Sequence, residues 1–297
     1  MTNGDLRANP DNFCYRHPDR QSFVLCQRCT RTICPECQTQ MPVGVICPEC
    51  LRDQQKVVKA TRPSGRTRAV RALRRSDDRP LVTYGIVIVT TLFYLVGLIP
   101  GVGDQVRSAL AFNSFFLLPT TFFEPWRLLT VTLVHASIWH VALNMLALWA
   151  LGRSLEPLLG RWRFAVLYVL SALGGSVLVA LLAPGVTVVG ASGAVWGLLG
   201  AMFIIGRHLG VNVTAIAVLL GLNLVITFLP GSNISWQAHI GGGLVGLLVG
   251  FIFARTRALR LQRRQKLLLT AVAVGLLALL VIPAVLYTGA VFGLGLS

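Results

Sequence analysis

Two polar residues stand at the starts of otherwise apolar runs in the second half of the chain. Ser192 lies between glycines in "VVGASGAVWGLLG", and His239 lies at the start of the apolar run in "QAHIGGGLVGLLVG". A serine hydroxyl becomes a nucleophile when a base such as imidazole removes its proton, which needs a hydrogen bond of about 2.6–3.2 Å. Ser192 and His239 therefore have the residue types of a serine–histidine dyad, if the fold brings them together.

Two further polar residues lie four positions apart in "HVALN". His140 and Asn144 share one face if this segment is helical. From that face they could donate hydrogen bonds to a negatively charged oxygen, together with the backbone N–H of Ser192. Two alternatives remain open. His140 and Asn144 could serve only to join helices, and Ser192 could bond to a carbonyl one turn earlier in its own helix.

The seven cysteines all lie near the amino terminus and, with one histidine, form four pairs separated by two residues. This spacing lets both side chains of a pair reach one metal ion, and thiolate and imidazole ligands suit zinc. Eight ligands fill two tetrahedral sites and leave no position for water, so we expect two structural zinc ions. Disulfides are the alternative, but seven cysteines cannot all pair. The candidate ligands are Cys14, His17, Cys26, Cys29, Cys34, Cys37, Cys47 and Cys50.

The composition indicates what kind of element must position the candidate dyad. Of 297 residues, 54% are hydrophobic and 13% are charged, and the mean hydropathy is +0.68. These values are typical of a chain that crosses a membrane several times. The apolar runs predict an all-α polytopic membrane protein with six core spans and a seventh after a basic loop. The predicted spans cover about 82–100, 132–152, 163–183, 189–206, 211–229, 236–254 and 267–290.

The formal net charge of +16 follows the predicted topology. Basic residues concentrate before the first span and in every second loop, which places the amino terminus in the cytoplasm and the carboxyl terminus outside. Because this arrangement accounts for the charge, no nucleic-acid partner is expected. We expect a multi-pass protein of the cell membrane that is inserted by its first span, since the polar amino terminus lacks the pattern of a cleavable signal peptide.

The predicted topology places the candidate dyad at one depth. Spans 2, 4 and 6 run inward, and Ser192 and His239 each lie about four residues inside their spans, a few ångströms below the outer surface. His140 and Asn144 lie about nine to thirteen residues into span 2. No acidic residue lies within a predicted span, since Glu156 stands at the inner end of the second. A dyad is therefore expected rather than a triad with a carboxylate.

Small residues form a stripe on each of the two spans that carry the candidate dyad. Residues three or four apart lie on one helix face, and small ones let two backbones approach closely in lipid. A short serine side chain needs such an approach to reach an imidazole, although the glycines could also serve packing alone. The stripes are Gly193, Gly197, Gly200 and Ala201 in span 4, and Gly242, Gly243, Gly246 and Gly250 in span 6.

Four motifs between about residues 80 and 254 resemble those of bacterial rhomboid intramembrane serine proteases. They are "GASG", "AHIGGGLVG", "HVALN" and "EPWRLLT", and their order along the predicted spans is similar too. The resemblance implies that Ser192 is the nucleophile and His239 the general base. It also implies that His140 and Asn144 help to form an oxyanion hole.

The same resemblance implies a reaction and a substrate class. Peptide bonds in or next to transmembrane segments of other proteins would be hydrolysed after the substrate enters from the lipid bilayer, with no metal or cofactor in the chemistry. Trp126 and Arg127 would anchor the first outer loop. Two other functions are considered. An inactive rhomboid relative that binds membrane proteins would be expected to lack the serine or the histidine, and a channel or transporter would be expected to have charged groups at the middle of its spans.

The cysteine-rich segment 1–55, here called the head, resembles a B-box-type zinc finger. That resemblance implies interleaved ligand pairs, whereas the spacing alone also permits sequential pairing. The head is expected to bind a cytosolic protein partner. The predicted domains are the head at 1–55, a basic linker at 56–80, the rhomboid core at 81–255, and a basic loop with the seventh span at 256–297. The interleaved pairing places Cys14, His17, Cys34 and Cys37 at one ion, and Cys26, Cys29, Cys47 and Cys50 at the other.

Overall fold

The computed structural model describes residues 10–41, 43–60, 79–118, 123–229 and 234–291. The chain divides into two compact units, Met1–Arg74 and Arg75–Ser297. Most of the predicted linker, residues 61–78, lies outside the described residues.

The first unit consists of two small hairpins and one helix. Strand β1, Phe13–Cys14, pairs antiparallel with β2, His17–Gln21, and β3, Thr39–Gln40, pairs antiparallel with β4, Val45–Ile46. Helix α1, Pro48–Ala60, begins between the last two cysteines. The buried centre of the unit is formed largely by cysteines, with Ile33 and Ile46 beside them. Two-stranded hairpins are marginally stable by themselves, so the stability of this unit must come largely from the interactions that join its cysteines.

The second unit is helical. A single bridge between Phe112 and Val188 is the one extended pairing in the described part of it. The helices are α2 Leu81–Val96, α3 Val102–Leu110, α4 Arg127–Thr130, α5 Ile138–Leu159, α6 Arg161–Leu182, α7 Ser192–His208, α8 Thr214–Thr227, α9 Trp236–Arg255, α10 Gln262–Leu279 and α11 Val281–Val291.

Each predicted span contains a helix, but the count of six plus one spans is not confirmed. Three helical segments of the described chain are long and apolar enough to cross a membrane: Arg161–Leu182, Trp236–Arg255 and Leu259–Leu286. A fourth is counted if Arg127–Leu133 and Ile138–Leu159 form one span bent by 100°. Helix α2 has 16 residues and α8 has 14, which at 1.5 Å per residue reach only about 24 and 21 Å.

The second predicted span, 132–152, had the wrong boundaries. Helix α5 begins at Ile138 because the Ser137 hydroxyl accepts the N–H of His140 and caps the helix, and it continues to Leu159. Glu156 therefore lies inside α5, beyond residue 152, where the predicted span ended. Its buried carboxylate accepts the N–H groups of Val82 and Thr83 at 2.9 and 2.8 Å. A negative charge at a helix amino terminus is favourable, so Glu156 fixes the start of α2.

The seventh predicted span is interrupted before its proline. Helix α10 ends at Leu279 and α11 begins at Val281, so the break precedes Pro283. Proline has no N–H to donate to the carbonyl four residues earlier, which explains a break at this point.

The glycine stripes pack α7 directly against α9. A β-carbon at Gly242 would overlap the carbonyl of Gly193, and one at Gly246 would overlap the carbonyl of Gly197. At Gly250 a β-carbon would lie 2.8 Å from the Cα of Ala201. The predicted facing stripes are thus present and meet at successive turns. The two helix amino termini, which carry Ser192 and His239, are held side by side by this contact.

Candidate functional site

Ser192 is the first residue of α7 and is half-buried. The N–H groups in the first turn of a helix have no intrahelical acceptor, so the backbone here offers donors beside the hydroxyl. Gly190 has a φ of +116°, a backbone conformation that residues other than glycine rarely adopt. Its N–H donates to the carbonyl of Val131 at 2.9 Å. The N–H of Ala191 donates to His135 Nε2 at 3.3 Å. The loop before the serine is therefore held in place from two sides.

His239 lies in the first turn of α9 and is 7% exposed. Its ring stacks on Trp196, with the centroids 5.0 Å apart and the planes 23° from parallel. Trp196 follows Ser192 by four residues, so both project from one face of α7. The Nδ1 atom of His239 lies 3.0 Å from the hydroxyl of Thr227 at the end of α8.

The structure brings Ser192 and His239 into neighbouring turns without a hydrogen bond between them. A β-carbon at Gly193 would lie 3.1 Å from the carbonyl oxygen of Ala238, so the backbones next to both residues touch. Within the described parts of the chain, no hydrogen bond joins Ser192 Oγ to the imidazole. Catalytic hydrogen bonds are often long before substrate binds, so the missing bond is compatible with a dyad.

His140 faces the loop before the serine. A β-carbon on Gly190 would lie 2.6 Å from His140 Nε2. The other ring nitrogen, Nδ1, accepts the N–H of Ala136 at 3.4 Å. Because a neutral imidazole carries one proton, this bond leaves the proton on Nε2. The nitrogen that faces the loop is therefore a donor, as an oxyanion site needs.

Asn144 is buried one turn further along α5, and its amide is partly engaged. Its Nδ2 donates to the carbonyl of His140 at 2.8 Å. An amide nitrogen has two protons, so one donor is used within the helix. The interaction of Asn144 in this structure is thus with its own helix, in contrast to the outward donor that the sequence suggested.

Arg127, the first residue of α4, connects this helix to the end of α3 and to the residue that follows α3. Its buried guanidinium donates to the carbonyl of Ala111 at 2.9 Å, to the carbonyl of Ser108 and to the carboxylate of Glu124, and it lies 3.8 Å from the ring centroid of Phe116. The Trp126 side chain is 52% exposed. The hydrogen bonds of Arg127 hold the first outer loop, and the role of Trp126 stays a prediction.

Three residues at the site had no predicted role. Trp196 could have been found, because its spacing from Ser192 places it on the same helix face. His135 stands two residues before the Ser137 cap of α5, and its bond to Ala191 joins segments that are distant along the chain. Thr227 contacts His239 across the loop between α8 and α9, and no sequence spacing rule signals such a contact.

In the first unit, the structure gathers the eight candidate ligands into two groups whose ligand atoms lie within 4.8 Å of one another. Zinc bonds of about 2.3 Å to sulfur and 2.0–2.1 Å to nitrogen, at tetrahedral angles, place sulfur and nitrogen about 3.6 Å apart and two sulfurs about 3.8 Å apart. The Nδ1 atom of His17 lies 3.7, 3.4 and 3.5 Å from the sulfurs of Cys14, Cys34 and Cys37, and Cys29 and Cys47 are 3.8 Å apart. The groups fit zinc, and their membership is the interleaved one.

Backbone donors prepare some of these thiols for metal binding. Burial raises the pKa of the Cys14 thiol, but backbone N–H groups of Cys34 and Arg16 lower it more, to about 6. The pKa of Cys26 is lowered to about 6 in the same way, and the N–H of Cys47 lies 3.3 Å from its sulfur. These two thiols therefore favour the thiolate, which is the form that binds metal.

Arg31 lies beside the four-cysteine group. Its Nε donates to Cys29 at 3.3 Å, and its guanidinium pairs with Glu49 at 2.6 Å and lies 4.1 Å from the centroid of the Tyr15 ring. Four thiolates around a divalent ion carry a net charge of −2, and a cation next to them offsets part of it.

Comparison with known proteins identifies the family of the second unit. Residues 123–256 match the Rhomboid domain. Rhomboid protease GluP of Bacillus subtilis (strain 168) is 30% identical over 212 residues, covering 68% of this chain and 41% of that protein. RHOMBOID-like protein 1 of Arabidopsis thaliana is 39% identical over 138 residues, covering 44% of this chain and 35% of the relative.

A further relative is Rhomboid protein 1, mitochondrial, of Saccharomyces cerevisiae, which is 32% identical over 149 residues, covering 44% of this chain and 42% of that protein. The aligned part thus spans less than half of each of these relatives. Together with the apolar helices, the match makes this a multi-pass membrane protein. Through its matched domain, the chain belongs to the rhomboid family.

Proposed function

We propose that the chain is an intramembrane serine endopeptidase that uses Ser192 and His239 as a catalytic dyad. One observation carries this proposal: Ser192 begins α7 at the point where α7 touches α9, and the His239 ring stacks on Trp196, one turn beyond the serine. The name of the Bacillus subtilis relative, a rhomboid protease, supports the same class of activity.

In the proposed reaction, Ser192 Oγ adds to the carbonyl carbon of the scissile peptide bond as His239 Nε2 takes its proton. The carbonyl π electrons move to the oxygen, which becomes an oxyanion. When they return, the C–N bond breaks and the imidazolium gives its proton to the leaving amine. A water molecule then repeats both steps on the acyl-enzyme, which releases the acid and restores the serine.

The oxyanion is proposed to receive hydrogen bonds from His140 Nε2 and from the backbone N–H of Ser192. Support comes from the Ala136 bond, which leaves a proton on the nitrogen that faces Gly190. Asn144 would add a donor through the second proton of its amide. Such donors act most strongly where water is excluded.

Substrates of the proposed enzyme are transmembrane segments of other proteins that approach through the lipid bilayer. The cell membrane is the proposed location, and the distribution of basic residues supports an orientation with the amino terminus in the cytoplasm and the carboxyl terminus outside. On this topology the serine lies near the outer surface. The proposed domains of the chain are the head, the basic linker, the rhomboid core and the segment with the seventh span, at the boundaries that the sequence predicts.

The head is proposed to bind two structural zinc ions, held by the interleaved groups that the distances support. All eight ligands come from the protein, so the ions hold the fold together and take no part in the hydrolysis. A cytosolic protein is the proposed partner of this unit.

The second candidate function is that of an inactive rhomboid relative that binds membrane proteins. The lack of a hydrogen bond between Ser192 and His239 in the described structure is the observation that favours it. Cleavage of a single-span reporter by the purified protein, compared with Ser192→Ala and His239→Ala, separates the two candidates. The protease proposal expects cleavage by the wild type alone, and equal fragment yields from all three proteins would contradict it.

A further inference from the structure

We propose that Thr227 is a positioning residue that fixes the tautomer of His239, with the proton on Nδ1 and the lone pair on Nε2. This inference rests on the proposed function, in which Nε2 is the base that serves Ser192. Thr227 is the last residue of α8, and His239 lies in the first turn of α9.

The direction of the contact follows from counting protons. A threonine hydroxyl has one proton, and Thr227 Oγ1 donates it to the carbonyl of Asn223 at 2.8 Å. The 3.0 Å contact between Thr227 Oγ1 and His239 Nδ1 then has the imidazole as donor and the hydroxyl oxygen as acceptor. A neutral imidazole with its proton on Nδ1 has its lone pair on Nε2. The carbonyl of Asn223 thus sets the tautomer of His239 through one hydroxyl.

Both side chains are shielded from solvent, which keeps this arrangement in place. Thr227 is 4% exposed and His239 is 7% exposed. In a buried site an unpaired polar atom is costly, and reversal of the ring would leave the N–H of Nδ1 without its acceptor at Thr227. The stacking on Trp196 restricts the ring plane further. The hydrogen bond and the stacking together hold one ring orientation.

A neutral hydroxyl takes the role that a carboxylate has in a serine–histidine–aspartate triad. The acidic residues in the described part of the second unit are Asp104, Glu124 and Glu156, and the last two bind Arg127 and the start of α2. When Nε2 takes the proton of Ser192, the imidazolium keeps its Nδ1–H bond to Thr227. A bond from a charged donor is stronger than a neutral one, so the contact stabilises the proton-transfer state more than the resting state.

The chain contains a matched control for this contact. Thr256 is 3% exposed, donates to the carbonyl of Ile252 at 2.6 Å, and accepts the Nε2 of Gln265 at 2.7 Å. It therefore has the same pattern as Thr227, with an amide in place of the imidazole. Thr256 stands at the carboxyl end of α9, away from the candidate dyad.

The kinetic test uses the full-length protein and a single-span reporter with Thr227→Val, Thr227→Ser and Thr256→Val. We expect kcat to fall about tenfold in Thr227→Val with KM changed less than about twofold, because valine keeps the shape and removes the acceptor. Thr227→Ser and Thr256→Val should stay within about threefold of wild type. Unchanged kcat in Thr227→Val, or failure of serine to restore it, would overturn the proposal.

The tautomer of His239 can be measured in protein that has no enzymatic activity, and the measurement needs no Thr227 variant. Histidine labelled with ¹⁵N in Ser192→Ala protein, with His239 assigned by comparison with His239→Gln, should show a protonated Nδ1 and an unprotonated Nε2. A proton on Nε2 would overturn the inference about Thr227 whatever the kinetics show. If Ser192→Ala cleaves the reporter as fast as wild type, the proposed function fails instead, and the tautomer result stands apart from it.

Discussion

The two units of this chain hold their important side chains in different ways. In the head, eight ligands from four short motifs form the centre of the unit, and few apolar residues surround them. In the second unit, Arg75–Ser297, here called the membrane unit, Ser192 and His239 come from separate helices whose glycines let the backbones touch. The candidate site of the head is thus a cluster of side chains that could hold metal ions, whereas the candidate site of the membrane unit is built by backbone packing between two helices.

The largest expected effect is that removal of metal unfolds the head and leaves the membrane unit folded. Structural zinc in small finger domains contributes on the order of 10–16 kcal/mol, so chelation or Cys26→Ser with Cys47→Ser should unfold the head of the full-length protein. Limited proteolysis should then produce cuts between residues 10 and 60, with the helices of the membrane unit protected. A head that stays resistant after its zinc is shown to be lost would contradict the metal-dependent fold.

The next effect tests the packing of the membrane unit. Gly246→Val places a side chain into the carbonyl of Gly197, and overpacking of this kind costs about 1–3 kcal/mol and occasionally more. We expect lower thermal stability in detergent and loss of reporter cleavage, with zinc content unchanged. Gly275→Val is the matched control, because no atom lies within 4 Å of its added β-carbon. Equal stability of the two variants would show that the glycine contact does not hold the site.

A smaller effect is expected at the proposed oxyanion site. His140→Leu removes the donor that faces Gly190, and loss of one such donor lowers kcat by about 10²-fold. The control is His208→Leu, an exposed histidine at the other end of α7, which should leave kcat unchanged. If kcat is retained in His140→Leu, this imidazole serves helix packing alone.

The smallest effect sharpens the account of the head. Arg31→Ala removes the cation beside Cys29, and loss of an outer partner of this kind weakens metal affinity by about tenfold. Competition with a zinc chelator measures the change, and Arg52→Ala provides an exposed arginine of the same unit as the control. The same affinity in both variants would show that Arg31 does not stabilise the ion.

The sequence predicted the features that obey a fixed spacing. Glycines at intervals of three and four residues had to share a face of α9, and cysteines two residues apart had to reach a common centre. The start of α5 was missed because "LVHAS" is apolar enough to continue a helix, while the Ser137 cap decides otherwise. The contact of Thr227 with His239 depends on how α8 packs at its end, and neighbouring residues along the chain carry no signal for it.

The glycine packing could be predicted, but whether Ser192 acts as the nucleophile is a matter of reactivity. A fluorophosphonate probe followed by mass spectrometry of the labelled peptide tests this most directly. The account predicts one adduct, on Ser192, which is absent from Ser192→Ala and forms far more slowly in His239→Ala. An adduct on another residue, or equal labelling of Ser192→Ala, would contradict it.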